Sequence, residues 1–174
     1  MENQVILSFL ELILAILLGV LSMFITHFIL VRIYKSKYPT EVPYKNNAFL
    51  IFLAGTMFSV AYLLSGIIEP LSSTLDLLIG SNQENSTLIW EYFKFLSLFT
   101  IIGFVLGMVI NFIAYFLFSS LTTEVNELEE IKNGNIGVAV LVSVIAITIS
   151  VFCKEPFLVL LESFIPYPEL PRLF

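Results

Sequence analysis

The sequence has little of the chemistry that enzymes and metalloproteins use. It contains one cysteine, Cys153, and one histidine, His27. These counts exclude a disulfide within the chain and a metal site built from several cysteines or histidines. No phosphate-binding glycine loop, zinc-ligand spacing or G-x-S-x-G nucleophile motif occurs. We therefore expect a protein that is not an enzyme, with no catalytic residue, no cofactor and no metal.

Charged residues are also scarce, at 13% of the 174 residues, and the net charge is −6. An acidic balance argues against nucleic-acid binding, which requires a basic surface. Hydrophobic residues, in contrast, make up 58% of the chain and include 17 phenylalanines. Soluble proteins average about 45–50% apolar residues. A soluble core of this size could not enclose so much apolar surface, so the expected solvent is the lipid bilayer.

Four apolar segments are long enough to cross a hydrocarbon core of ~30 Å. They cover residues 5–31, 47–68, 95–118 and 136–152, and a proline-rich tail occupies residues 157–174. The first segment is too long for a cleavable signal peptide and lacks its basic flank, so we expect it to be retained. These observations predict an all-α polytopic membrane protein with four transmembrane helices, forming a single membrane domain over residues 1–174.

The second and fourth segments resemble each other, which suggests an internal duplication. Each opens on asparagine and closes on a Glu-Pro pair, at Glu69 and Glu155. Proline disfavours helix at the residue before it, so we expect both helices to fray there. Small residues also recur at the same spacing: Gly55, Ser59, Tyr62, Gly66 and Glu69 match Ala139, Ser143, Ala146, Ser150 and Cys153. We predict two tandem two-helix repeats, at about 5–70 and 91–156, related by an axis along the membrane normal.

Small residues and asparagines mark where the helices are expected to pack and to begin. Lipid supplies no hydrophobic drive between helices, so small residues that allow close approach are typical of helix interfaces. The predicted close-packing residues are Gly55, Gly66, Gly103 and Gly107. Asparagine oxygens can accept hydrogen bonds from the unpaired N–H groups at helix starts. The predicted helix caps are Asn46, Asn47 and Asn135.

Five polar residues in or near the spans are candidates for a polar pathway or for helix packing: Glu11, Thr26, Asn111, Glu69 and Glu155. An ionised carboxylate deep in the bilayer costs several kcal/mol, so Glu11 either lies at the interface or binds a proton or cation. Asn111 requires an interhelical partner. Glu69 and Glu155 either lie at the interface or ring one mouth of a bundle, as acidic rings do in cation-selective pores.

The basic residues predict the orientation in the membrane. Five of the eight lysines and arginines lie in the loops at 32–46 and 119–134. By the positive-inside rule, both loops face the cytoplasm and both termini lie outside. The second of these loops also carries Glu127, Glu129 and Glu130. These acids either keep the loop soluble or contact a partner.

Short motifs in the first half of the chain resemble a known family. Asn46-Asn47-Ala48, followed by Ala54-Gly55-Thr56 in a four-helix chain, is similar to the YjfL-like family, catalogued as domain of unknown function 350 (DUF350). The second half is similar over residues 129–135, whereas residues 136–139 depart from the Asn-x-Ala-Ala form of the family. The resemblance covers about residues 10–150. It implies two tandem two-helix halves and a bacterial inner-membrane protein, and it brings no established activity.

Two functional hypotheses remain open at this level. The first is an oligomeric, channel-like or transport-related protein for ions or small solutes, based on Glu11, Asn111 and the two Glu-Pro pairs. The second is a non-enzymatic membrane anchor or sensor that acts through a protein partner in envelope stress or defence. It is based on the acidic loop, residues 71–90 and the tail. The expected partners are the bilayer, further copies of the chain, a protein partner in the second hypothesis, and no nucleic acid.

Overall fold

The computed structural model describes residues 2–80, 85–121 and 126–165. This part of the chain contains six α-helices and no β-strand. The helices are α1 (Glu2–Lys37), α2 (Asn47–Leu64), α3 (Ile68–Gly80), α4 (Asn85–Leu121), α5 (Glu127–Lys132) and α6 (Ile136–Glu162). Two short 3-10 turns, Pro43–Lys45 and Ser65–Ile67, precede α2 and α3. The first part of the predicted tail, residues 157–162, belongs to α6, and residues 166–174 lie outside the described residues.

Four helical stretches within the described residues are long and apolar enough to span a membrane. They are Glu11–Lys37, Asn47–Gly80, Thr87–Ser120 and Ile136–Glu162. This confirms the predicted all-α membrane architecture with four spans. The second stretch joins α2 and α3 through the 3-10 turn, because in hydrocarbon a helix that keeps its backbone hydrogen-bonded is strongly favoured over an irregular segment.

The predicted fraying at the two Glu-Pro pairs is wrong. Pro70 is the third residue of α3, and Pro156 lies inside α6, which continues to Glu162. Proline is tolerated in the first turn of a helix, where N–H groups have no intrahelical acceptor in any case. The buried Thr74 hydroxyl also donates to the Pro70 carbonyl at 2.7 Å. An unsatisfied backbone group in lipid costs several kcal/mol, so the helices continue through both prolines.

The second span lies at the centre of the bundle. α2 packs against α1, α4 and α6, and its contact with α6 is the most extensive. The most apolar part of this span is 44% buried, whereas that of α1 is 17% buried. Most side chains of α1 therefore face away from the rest of the chain, toward the space that lipid occupies.

Two apolar clusters fill the core, one in each half of the bundle. The first surrounds Phe99 and includes Leu64, Ile67 and Phe157. The second surrounds Phe49 and includes Tyr34 and Ile131. The second cluster lies at the end of the bundle that carries residues 38–46 and 126–135, which we call the loop side. The opposite end, where α3 is followed by α4, is the far side.

Candidate functional site

Asn46 joins two segments of the loop side. Its side-chain oxygen accepts a hydrogen bond from the Phe49 backbone N–H at 3.0 Å, so it caps α2. Its amide nitrogen donates to the carbonyls of Ile131 and Lys132, each at 2.8 Å. Those carbonyls lie in the last turn of α5, where no further turn of helix donates to them, and the Ile131 carbonyl also accepts from the Gly134 N–H at 3.1 Å. One side chain therefore fastens the start of α2 to the end of α5.

The start of α6 has a similar cap. The Asn135 oxygen accepts from the Val138 N–H at 3.3 Å, and its amide donates to Glu130 at 2.7 Å. Asn47 is instead the exposed first residue of α2, and the cap there is its neighbour, so the predicted capping role of Asn47 is wrong. Asn126 caps α5 by accepting from Glu129, a role that we did not predict from sequence.

All four predicted close-packing glycines are buried, but the space that a Cβ atom would have differs among them. A Cβ at Gly55 would overlap the side chain and backbone of Ser143 on α6. A Cβ at Gly103 would lie 2.7 Å from Leu64 and 2.8 Å from Ile67. At Gly66 and Gly107 the nearest atoms of other helices lie at 3.7 Å and 3.4 Å. Only the first two sites are too tight for a methyl group.

The serines of the α2–α6 interface pair with one another. The hydroxyls of Ser59 and Ser150 are hydrogen-bonded, and Ser59 donates onward to the Ala146 carbonyl at 3.2 Å. Ser143 donates to the Ala139 carbonyl at 2.8 Å and reaches the Ile51 carbonyl at 3.3 Å. These polar groups are satisfied within the interface, so helix packing accounts for them.

The five candidate pathway residues do not converge. Among the described residues, no hydrogen bond joins any two of them. Glu11 accepts from the Ser72 hydroxyl at 2.5 Å and so links α1 to α3. It lies about 31 Å before Arg32 along α1, roughly one hydrocarbon thickness, which places it near the far-side boundary. Glu69 and Glu155 are exposed. Thr26 is fully buried, and its hydroxyl has no hydrogen-bond partner.

Asn111 is the candidate that lines a cavity. We call this space, of about 270 Å³, the loop-side cavity. It lies between α1 and α4, with α2 and α6 behind it and α5 at its loop-side end. Its walls are almost entirely apolar and aromatic. They are formed by Leu30, Ile33, Tyr34, Lys37, Tyr38, Phe49, Phe52, Thr56, Met108, Asn111, Phe112, Tyr115, Leu128, Ile131, Val142 and Ala146.

The Asn111 side chain, in the wall of this cavity, has a hydrogen-bond acceptor without a donor. It is 9% exposed, and its amide nitrogen donates to the Gly107 carbonyl of its own helix at 2.8 Å. Its oxygen is buried and has no hydrogen-bond partner. A buried acceptor without a donor costs about 1–3 kcal/mol. The other buried polar group of the wall, the Thr56 hydroxyl, donates to the Phe52 carbonyl at 2.9 Å and is satisfied.

Two lysines meet one tyrosine at the loop-side end of the cavity. The Nζ atoms of Lys37 and Lys132 lie 5.6 Å and 5.2 Å from the centroid of the Tyr38 ring. Both distances are typical of cation–π contacts. Within the described part of the chain, the salt bridge is Glu91–Lys94 on α4, so neither of these lysines is neutralised by a carboxylate there.

Glu127 is not part of an exposed acidic surface. It is fully buried as the first residue of α5. A carboxylate is favoured at a helix N-terminus by the unpaired N–H groups and the helix dipole. The hypothesis of an acidic partner surface made of three glutamates is therefore reduced to Glu129, which is exposed, and Glu130, which is half-buried.

The space between α1 and α4 continues from the loop-side cavity toward the far side. Two further hollows, of about 180 Å³ and 380 Å³, lie along it. Both are lined by Leu18, Leu21, Thr100 and Ile101 among others. Leu21 and Ile101 are exposed, so this space opens to the outside of the bundle. We call the three spaces together the α1–α4 groove.

Sequence reasoning found Asn111 but missed the rest of this site. The sequence shows the tyrosines and lysines of the loop side only as aromatic and basic residues at a membrane interface, a pattern that most membrane helices share.

Comparison with known proteins adds one match. A family model described as Domain of Unknown Function (DUF350) covers residues 4–155. Neither the curated proteins nor the solved structures contain a match to the chain.

Proposed function

The chain belongs to the DUF350 family, and we propose that it is a transport-related membrane protein that binds a small amphiphilic solute in the α1–α4 groove. The observation that carries this proposal is the loop-side cavity, in which the buried oxygen of Asn111 has no hydrogen-bond donor. The family description assigns no activity, so the proposal depends on the geometry alone.

The chemistry of the cavity favours an amphiphile over a free ion. Apolar walls with a few oriented polar groups are typical of sites for small organic ligands. A bare ion in such a cavity would lose its hydration without gaining coordinating groups. Asn111 lies about 14 Å from the loop-side end of its span, measured to Ser120 along α4, so it is near the middle of the bilayer. A ligand that reaches it carries a hydroxyl or N–H donor on an otherwise apolar frame.

The α1–α4 groove supplies a route of entry from the membrane. Its openings face the outside of the bundle, next to Phe112 and Ile33, which are 69% and 55% exposed. A solute dissolved in the bilayer can therefore enter sideways, between α1 and α4, without crossing water.

The ion pathway that we predicted from sequence has less support. Its candidates Glu11, Asn111, Glu69 and Glu155 lie apart in a single chain, and the first is paired with Ser72. A pathway between several copies of the chain, with the two exposed glutamates around its mouth, remains a proposal. The location in a bacterial inner membrane, which the family resemblance implies, also remains a proposal. So does the cytoplasmic orientation of the loop side, which is supported by the five basic residues there.

The test compares two tryptophan variants of α1. Ile33 lines the loop-side cavity, Leu12 does not, and both are 55% exposed. The full chain is purified in mild detergent, and bound amphiphiles are extracted and quantified by mass spectrometry. We expect Ile33→Trp to lose most of the bound amphiphile and Leu12→Trp to retain it.

Asn111→Leu should lower the occupancy of the cavity by about fivefold to tenfold, the equivalent of one buried hydrogen bond.

Equal amounts of amphiphile in the wild type and in Ile33→Trp would contradict the proposal. In that case the anchor or sensor hypothesis becomes the better one. It is supported by the loop-side surface that Asn46 holds together, with Glu129 exposed on it. A soluble protein that copurifies with the full chain and is lost on Glu129→Gln would favour this alternative.

A further inference from the structure

The cation pair at the loop-side end of the cavity has no function in the proposal above. Lys37 is the last residue of α1, and Lys132 is the last residue of α5. Both place an ammonium group on the same ring, that of Tyr38, from two separate elements. Two cations next to one another are unfavourable unless an anion or solvent stabilises them.

The cavity reaches Lys37 and Tyr38, and Lys132 contacts the same tyrosine ring without lining the cavity. Leu30, Tyr34 and Lys37 all line it, so it extends about 10 Å along α1 from the level of Leu30 to the level of the lysine. Lysines at a membrane boundary keep their ammonium groups in the headgroup layer while their hydrocarbon stems stay in apolar surroundings. An occupant of the cavity therefore has an apolar part in the bilayer and a polar end beside two positive charges.

One buried acid, Glu127, lies on the same side of the bundle as the two lysines. Glu127 is fully enclosed at the start of α5 and does not line the cavity. A basic residue near a membrane surface favours an anionic lipid by about 1 kcal/mol, which is about fivefold in affinity. A zwitterionic or neutral headgroup does not obtain this gain.

We infer that the amphiphile is an anionic membrane lipid of the phospholipid class, with its acidic headgroup between Lys37 and Lys132 and an acyl chain in the loop-side cavity. The inference rests on the proposed function, because it names the ligand of the same cavity. The headgroup receives charge-assisted hydrogen bonds from the two ammonium groups. A hydroxyl or N–H on the hydrophobic part of such a lipid would donate to the Asn111 oxygen; the acyl chains of phosphatidylglycerol have none, so this probe tests the headgroup site alone.

Native mass spectrometry of the full chain in detergent tests the inference. The probes are phosphatidylglycerol and phosphatidylcholine with the same acyl chains, added separately. We expect the wild type to bind phosphatidylglycerol at least tenfold more tightly. The double variant Lys37→Gln/Lys132→Gln should lose this preference and bind phosphatidylcholine as the wild type does. Lys35→Gln is the matched control, because Lys35 is an exposed lysine of the same turn that does not line the cavity.

Four outcomes overturn the inference, and the first and last of them show whether the proposed function fails with it. If both lipids bind equally and the double variant changes neither, while Ile33→Trp weakens both, the charge assignment is wrong and the proposed cavity stands. If Lys35→Gln lowers binding as much as the double variant, the preference is a general surface effect and the assigned site is wrong. If inorganic phosphate displaces phosphatidylglycerol at equal concentration, the site recognises a free anion and not a lipid. If neither lipid binding nor copurified amphiphile responds to Ile33→Trp, both proposals fail.

Discussion

At the scale of single residues, the asparagines show how one side-chain type performs different tasks. Asn46 caps α2 and also binds the last carbonyls of α5. The Asn111 amide nitrogen donates within its own helix, and the Asn111 oxygen is buried without a donor. Asn47 is exposed at the start of α2 and does neither. These roles differ because each side-chain amide has different neighbours in the folded bundle. For Asn46 the neighbours on α5 are distant in sequence.

Replacement of Asn46 by alanine should destabilise the protein by about 2 kcal/mol. About 1 kcal/mol comes from the lost cap and about 1 kcal/mol from the lost hydrogen bonds to α5, where the Ile131 carbonyl keeps the Gly134 N–H as a donor. Thermal unfolding of the detergent-solubilised chain, followed by circular dichroism, measures the change. Asn47→Ala is the control and should stay within about 0.5 kcal/mol of the wild type. Equal destabilisation by both variants would show that the bridge to α5 contributes nothing.

At the scale of helices, the local rules for proline and for small residues had different outcomes. Proline predicted two helix ends that do not exist. The rule describes a steric preference of the residue before proline, and in lipid a break in backbone hydrogen bonding costs more than that preference. Small residues predicted buried helix surfaces at Gly55 and Gly103, where neighbouring helices leave no room for a methyl group. This pattern succeeds because close approach depends directly on side-chain size.

Gly55→Ala should weaken the contact between α2 and α6. The added methyl group would overlap Ser143, so the two helices have to move apart, at a cost of about 1–3 kcal/mol. The control is Gly19→Ala on α1, where an added Cβ meets nothing within 4 Å. We expect that variant to be neutral or slightly stabilising, since alanine is the better helix former. The same unfolding measurement compares them, and a lower stability of Gly19→Ala than of Gly55→Ala would contradict the packing argument.

At the scale of the whole molecule, the bundle is built around α2 and is open between α1 and α4. α6 packs on one side of α2, and the α1–α4 groove lies on another. The predicted tandem repeat stays a prediction. It is consistent with two caps of the same kind, at Asn46 and Asn135, and with the pairing of Ser59 and Ser150.

The proposed orientation predicts which end of the bundle is accessible from outside the cell. In a Cys153→Ser background, single cysteines are placed at two exposed positions, Lys45 on the loop side and Thr87 near the far side. A membrane-impermeant maleimide applied to intact spheroplasts should label Thr87→Cys at once. It should label Lys45→Cys only after permeabilisation. The reverse labelling pattern would invert the orientation and place the cation pair outside the cytoplasm.

The sequence by itself determined that the chain belongs in a lipid bilayer, that it is all-helical, how many spans it has and which family it belongs to. These depend on composition, on the length of apolar runs and on short motifs, all of which are local or additive properties. Only the tertiary structure decided which polar groups are satisfied. It paired Ser59 with Ser150, enclosed Glu127, brought Lys37 and Lys132 to one ring, and left the Asn111 oxygen buried without a donor. A hydrogen bond or a charge contact requires two groups within a few ångströms, and residues some 90 positions apart reach that distance only through the packing of whole helices.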